Sequence, residues 1–178
     1  GIWLERDGRD VMLIEKAGPG EGTSHGNGGV GASCSVMPVP GPGLWTKAPR
    51  MLLDPNQPLF MKSSYLPKLA PWLMKYMRHA NADSARRRAA AATSIIGDSL
   101  SDHLALATGT GAEKWVVPGD YVFIYNTRAD YEADSFGFSV RKENGFEWEL
   151  LEDQAFRDYD PIWGPQMTCA ARFPDHGR

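Results

Sequence analysis

The apolar positions change period several times along the chain, and each change predicts an element. Ile2, Trp3 and Leu4 followed by Glu5, Arg6 and Asp7 read as the last turns of a helix. Gly8 closes it, because a residue without a Cβ takes the left-handed position past a helix end without steric penalty. Val11, Met12, Leu13 and Ile14 then form an unbroken apolar run that stops at Glu15 and Lys16. Such a run predicts a strand buried on both faces, as in a parallel sheet covered by helices. Helix, glycine turn and buried strand together predict the second half of a βαβ unit.

The stretch from Ala17 to Gly43 carries nine of the nineteen glycines and four prolines. Compact domains seldom hold so long a connection unless it binds something or is disordered. Beyond it, Pro49, Pro55, Pro58, Pro67 and Pro71 punctuate short apolar segments. Pro71 suits the first turn of a helix through Trp72, Leu73, Tyr76 and Met77, where its missing N–H is not needed. Asp83 or Ser84 is placed to cap a long helix on which Ala85, Ala89, Ala92, Ile96, Leu100, Leu104 and Ala107 recur at three- and four-residue spacing, with Gly109 and Gly111 ending it. Tyr121, Phe123 and Tyr125 alternate with Val122, Ile124 and Asn126 as a strand. Residues 128–143 follow as a helix, 146–150 as a short strand and 152–157 as a last short helix. The final six residues, Phe173 to Arg178, read as a polar turn. The expected class is therefore α/β (α+β), with an incomplete Rossmann-like part over 1–43 and a mixed helix and sheet part over 44–178. The uncapped first helix and the closing polar turn predict an internal piece of a longer protein.

Composition narrows the function. A chain of 178 residues with 42% hydrophobic and 23% charged residues is that of a folded domain, not a disordered one. A formal charge of -3 disfavours a nucleic-acid partner. The two cysteines, Cys34 and Cys169, lie far apart with no paired ligand spacing, which excludes a disulfide scaffold and the usual zinc sites and suits a reducing cytoplasm. No run of apolar residues approaches the ~18 of a spanning helix.

Candidate chemistry gathers near the first strand. A carboxylate such as Glu15 at the tip of the second strand of a dinucleotide fold accepts both hydroxyls of an adenosine ribose, although many strands end in a charge. The loop Gly22-Thr23-Ser24-His25-Gly26-Asn27-Gly28-Gly29-Val30 offers hydroxyls, an amide and glycines that let backbone approach a diphosphate or a flat ring. A mobile surface loop has the same composition. Among the histidines, His25 lies in this loop, His79 ends a helix, His103 lies beside the apolar stripe of the long helix as a hydrogen-bonded packing residue, and His176 reads as surface. Cys34 reads as a small packing residue. Arg86, Arg87 and Arg88 form the densest basic cluster, by default a solvated face. Tyr121, Phe123, Tyr125 and Trp148 read as core, with a pocket wall as the alternative.

The order of the strand-end acid and the glycine loop resembles the FAD-dependent oxidoreductases of the D-amino acid oxidase superfamily, most closely the bacterial D-amino acid dehydrogenases. Leu44-Trp45, Gly119-Asp120-Tyr121, Leu150-Leu151 and Asp160-Pro161, where that family commonly has Glu-Pro, extend the similarity over nearly the whole chain. The resemblance implies that Glu15 and Lys16 contact the adenosine end of FAD, Thr23 and Ser24 its diphosphate, and Asn27, Gly28, Gly29 and Val30 the flavin ring. It implies oxidative deamination of a D-amino acid by hydride transfer to flavin, giving a 2-oxo acid and ammonia, with no side-chain base required. It also suggests a peripheral contact with the respiratory membrane, to which Arg86–Arg88 could contribute. A glycine or sarcosine oxidase of the same superfamily and a non-catalytic interaction module are the alternatives. Because the glycine fingerprint and the C-terminal flavin segment of that family fall outside these 178 residues, the chain alone is expected not to hold FAD tightly.

Overall fold

A computed structural model of the chain describes residues 1–23, 25–46, 48 and 62–178. Ser24 and the prolines at 49, 55 and 58 lie outside the described residues. The fold is mixed helix and sheet, as expected, and its sheet is a three-stranded antiparallel one in the order β1-β3-β2. β1 is Pro118–Tyr125, β2 is Glu149–Glu152 and β3 is Cys169–Gly177.

The central strand, β3, is the one that the sequence pattern hides. Residues 173–178 were expected as a polar turn, yet β3 runs through Gly177 and pairs with β1 from Tyr125↔Cys169 to Pro118↔Gly177. Phe173 and His176 point into the core while Pro174 and Asp175 face out. Pro174 and Asp175 fall at the bulge where the register shifts between Tyr121↔Phe173 and Gly119↔His176, with Asp175 at φ 61°, so their turn propensity is accommodated inside the strand.

On one face of the sheet, alternate residues Tyr121 and Phe123 of β1 and Ala171 and Phe173 of β3 pack with Phe138, Trp148 and Cys34. The other face buries Leu151, Ala170 and Phe156, with Val122 and Trp163 against them. Three helices complete this body: α5 (Arg128–Ala133), α6 (Ser135–Glu143) and α7 (Asp153–Tyr159). One continuous helix was expected over 128–143; it is broken at Asp134, the residue that accepts a hydrogen bond from the Tyr125 hydroxyl at 3.1 Å. A capping box between Thr127 and Asp130 starts α5, each side chain bonding the other's backbone N–H. β2 begins three residues later than expected, because Phe146 and Trp148 are used as core plugs before the chain enters the ladder.

Four more helices have described bounds: α1 (Ile2–Arg6), α2 (Leu66–Met77), α3 (Ala82–Ile96) and α4 (Ser99–Ala107). In α2, Pro67 occupies the first turn and Pro71, expected there, lies inside the helix. The expected helix over 83–107 is two: Gly97, which costs about 1 kcal/mol relative to alanine in a helix interior, lies between α3 and α4. The cap of α3 is Asn81, whose Oδ1 accepts the Ser84 N–H at 2.9 Å, in place of the expected Asp83 or Ser84. Ala85 and Ala89 of α3 are fully buried, and Ala89 packs with Val36 and Val140.

The buried strand expected at Val11–Ile14 is not formed. Met12, Leu13 and Ile14 are 86%, 80% and 87% exposed, and among the described residues no strand pairs with them. A segment apolar on both faces becomes a strand only when neighbours supply hydrogen bonds and cover. The helix and glycine turn before it are present, with Gly8 at φ 73°. The Arg6 guanidinium holds that helix to the end of α4, donating to the carbonyls of Ala105, Leu106 and Thr108. Those carbonyls have no partner within their own helix, and a cation at a helix C-terminus suits them.

Candidate functional site

A groove among the described residues has a volume of about 660 Å³, within the range of small-molecule and cofactor sites. One wall is the backbone of the glycine loop from Asn27 to Ala32, the other is α4 with Ser99, Leu100 and His103, and Trp115, Val116 and Gly177 close the end. None of the lining residues is acidic, and Arg178 lies at the rim.

Local chemistry shapes each wall. Asn27 Oδ1 accepts the Gly29 N–H at 2.7 Å, an Asx turn that bends the loop. Gly29 sits at φ 63°, where a side chain would be strained. Gly31 pairs with Gly177, with N–H to O distances of 2.7 and 3.2 Å in the two directions. A Cβ on Gly31 would stand 3.4 Å from the Gly177 oxygen, at van der Waals contact, so the loop lies against β3 with no room to spare. Facing it, Ser99 Oγ is 2.9 Å from Ser33 Oγ, and the Ser99 carbonyl accepts from His103 Nδ1 at 2.6 Å. His103 is hydrogen-bonded as expected but exposed, at the groove rather than in the core.

Of the residues singled out from sequence, Asn27, Gly28, Gly29 and Val30 come together in this groove. Glu15, Lys16 and Thr23 do not line it. All three are exposed, and the Glu15 carboxylate accepts its neighbour's N–H, that of Lys16, at 2.6 Å. His25 is exposed and likewise outside the groove. Trp115, Leu100 and Ser99 were not anticipated, because nothing in a single sequence shows which helix will face a loop seventy residues away. Among the described residues, no cluster of histidine, cysteine and carboxylate groups could hold a metal, and no helix is long and apolar enough to cross a membrane. Of the three arginines, Arg86 pairs with Glu143 at 2.9 Å, while Arg87 and Arg88 are exposed.

Just past the groove the loop enters the body at Cys34, which is fully buried. Burial pushes its thiol up to about 11, against the pull of the Arg141 guanidinium. A thiol so disfavoured as thiolate is no nucleophile, in line with the expected packing role. Sequence reasoning missed the partner. His176, read as surface, is 3% exposed, and its Nε2 accepts the Cys34 N–H at 3.0 Å. The Cys34 carbonyl accepts from Arg141 Nε at 3.2 Å. The Arg141 guanidinium lies over the rings of Phe123 and Phe138, at 4.5 and 5.4 Å from their centres.

Over 176 residues, 97% of its length, the chain is 31% identical to a D-amino-acid oxidase of Bradyrhizobium diazoefficiens, of which it covers 42%. It is 39% identical over 85 residues to D-amino acid dehydrogenase 2 of Ralstonia nicotianae, matching 47% of this chain and 20% of that protein. To a D-amino acid dehydrogenase of Phenylobacterium zucineum it is 25% identical over 176 residues, 98% of this chain and 38% of that protein. None of the three names is that of a glycine or sarcosine oxidase. No family model and no solved structure matches the chain. The chain spans about two fifths of the length of the first of these relatives, and over nearly all of its own length it is similar to proteins named D-amino-acid oxidase and D-amino acid dehydrogenase.

Proposed function

We propose that the protein is an FAD-dependent oxidoreductase that deaminates D-amino acids, and that the groove between the glycine loop and α4 takes the flavin ring. The observation that carries this reading is the coincidence of two independent facts. The stretch that the family resemblance assigns to the ring, Asn27 to Val30, is the stretch that walls a groove of cofactor size.

The residues present fit such a ring. Gly28 and Gly29 leave open backbone along one side, with nothing within 4 Å of where a Gly29 Cβ would be. Ile96, Leu100, Trp115 and Val116 offer apolar surface, and the absence of acidic lining residues favours the negative charge that a flavin gains on reduction. Asn27 to Val30 would orient the ring, and the hydroxyl contact between Ser33 and Ser99 would hold the facing helix against the loop. Glu15 and Lys16 would hold the adenosine end, and Thr23 and Ser24 the diphosphate. Arg87 and Arg88 stay exposed on α3, the face a peripheral contact with acidic lipid would use. When bound, FAD supplies the acceptor for the hydride leaving the substrate α-carbon, and water then hydrolyses the imino acid to a 2-oxo acid and ammonia.

The test is spectroscopic. The full-length protein should absorb at roughly 450 nm as flavoproteins do, and anaerobic D-alanine, but not L-alanine, should bleach that band. Oxygen consumption against dye reduction then separates an oxidase from a dehydrogenase. A protein that binds FAD but is bleached by neither alanine nor any other D-amino acid contradicts the assignment.

A further inference from the structure

The glycine loop is tied to the body at three successive points, starting at the end of the groove. Gly31 bridges to Gly177, Ser33 meets Ser99, and the Cys34 peptide is gripped at both ends, its N–H by His176 and its C=O by Arg141. The last grip is the buried one: Cys34, His176 and Arg141 are 0%, 3% and 5% exposed. Water cannot readily replace a partner lost there, so the bond is expensive to break.

The contacts fix the protonation state of the imidazole. Nδ1 of His176 lies 2.7 Å from the Pro174 carbonyl oxygen, which only accepts, so Nδ1 carries the proton. The Cys34 N–H only donates, so Nε2, 3.0 Å away, presents its lone pair. A second proton on the ring would set Nε2–H against the Cys34 N–H, two donors face to face. Histidine is the side chain whose charge ordinarily changes between about pH 5 and 8.

We propose that His176 is a positioning residue for the groove: as a neutral imidazole it pins the Cys34 peptide and so holds the glycine loop against β3, and it releases that loop when protonated. His176 precedes Gly177, which both lines the groove and pairs with Gly31. A change at the ring is therefore one residue away from the groove's end. The groups around the imidazole are few. From β1 come the Asp120 carboxylate and the Tyr121 ring, whose centre is 5.8 Å from that of the imidazole. From α6 comes the Arg141 guanidinium, already on the Cys34 carbonyl, and from the loop the Cys34 thiol. β3 itself contributes the Phe173 ring at 6.2 Å and carries Arg172 and Asp175. Asp120 is engaged elsewhere, by Arg172 at 2.7 Å and the Tyr159 hydroxyl at 2.8 Å, so it does not compete for the imidazole proton through a direct bond.

The consequence for flavin rests on the function proposed above, whereas the clamp on Cys34 does not. The experiment reads the two separately, by hydrogen exchange of the Cys34 amide and by FAD titration, each at pH 8 and pH 5.5. After correction for intrinsic exchange, the Cys34 amide of the wild type should exchange roughly five- to tenfold faster at pH 5.5, the factor of one lost hydrogen bond. His176→Gln keeps an acceptor without a titrating group, and its protection should not change with pH. His176→Leu should exchange fast at both values. The FAD dissociation constant of the wild type should rise on acidification by a similar factor, and that of His176→Gln should not. Cys34 protection that is independent of pH in the wild type, or equally pH-dependent in His176→Gln, overturns the clamp even if FAD binds well. If Cys34 responds as described and the full-length protein binds FAD at neither pH, the clamp stands and the flavin reading fails.

Discussion

The first thirty residues and the sheet body both carry large apolar side chains and differ in what becomes of them. Trp3, Leu4, Met12, Leu13, Ile14 and Val30 all remain exposed, and none of the described residues from 1 to 30 is buried. In the body, Phe138 is 4% exposed, and its ring packs against those of Phe123, Tyr125, Tyr131, Trp148 and Phe173. The difference is one of neighbours. β1, β2 and β3 supply each other's hydrogen bonds and so create faces on which helices settle, while the run at 11–14 meets no ladder among the described residues. Hydrophobicity determines what a segment can bury, and pairing determines whether it does.

Substitutions in the two regions should therefore cost very different amounts. Phe138→Ala empties the centre of the aromatic cluster and should destabilise the chain by about 3–5 kcal/mol, read as a shift in the urea midpoint at constant slope. A loss below about 1 kcal/mol would mean that the cluster is not the core. Asp120→Asn tests the polar edge of the same sheet. The Arg172 hydrogen bond, followed by that of Tyr159, holds the Asp120 carboxyl below its ordinary value. A depressed carboxyl contributes stability above its unfolded pKa, and the contribution is lost as pH falls through the folded one. Asp120→Asn should thus cost about 1 kcal/mol at pH 7, the partly exposed Arg172 limiting the effect, and the gap to wild type should close in acid. A gap that widens in acid would contradict the pairing. Leu13→Ala, in the exposed run, should stay within about 0.5 kcal/mol in either direction.

The sequence made some of this architecture readable and hid the rest for physical reasons. The alternation of Tyr121, Phe123 and Tyr125 located β1, and the alanine spacing located α3, because both patterns are local. β3 was hidden because its solvent-side residues, Pro174 and Asp175, carry turn propensity, and its core-side residue His176 is polar. The burial of His176 depends on a backbone N–H 142 positions away, a partner that no window of sequence contains. The continuous helices expected over 83–107 and 128–143 failed at Gly97 and Asp134, where a glycine and a hydrogen bond from Tyr125 outweighed periodicity. Asn27 to Val30 were legible as a binding loop from their glycines, but α4 as the facing wall was not.

Hydrogen-exchange mapping with and without FAD tests the central claim most directly, because it asks where the cofactor lies rather than whether it binds. Bound FAD should slow exchange in three stretches that meet only in the fold: residues 27–32, 99–103 and 115–116. Protection confined to other parts of the chain, with these three unchanged while FAD is bound, would contradict the assignment of the groove to the flavin.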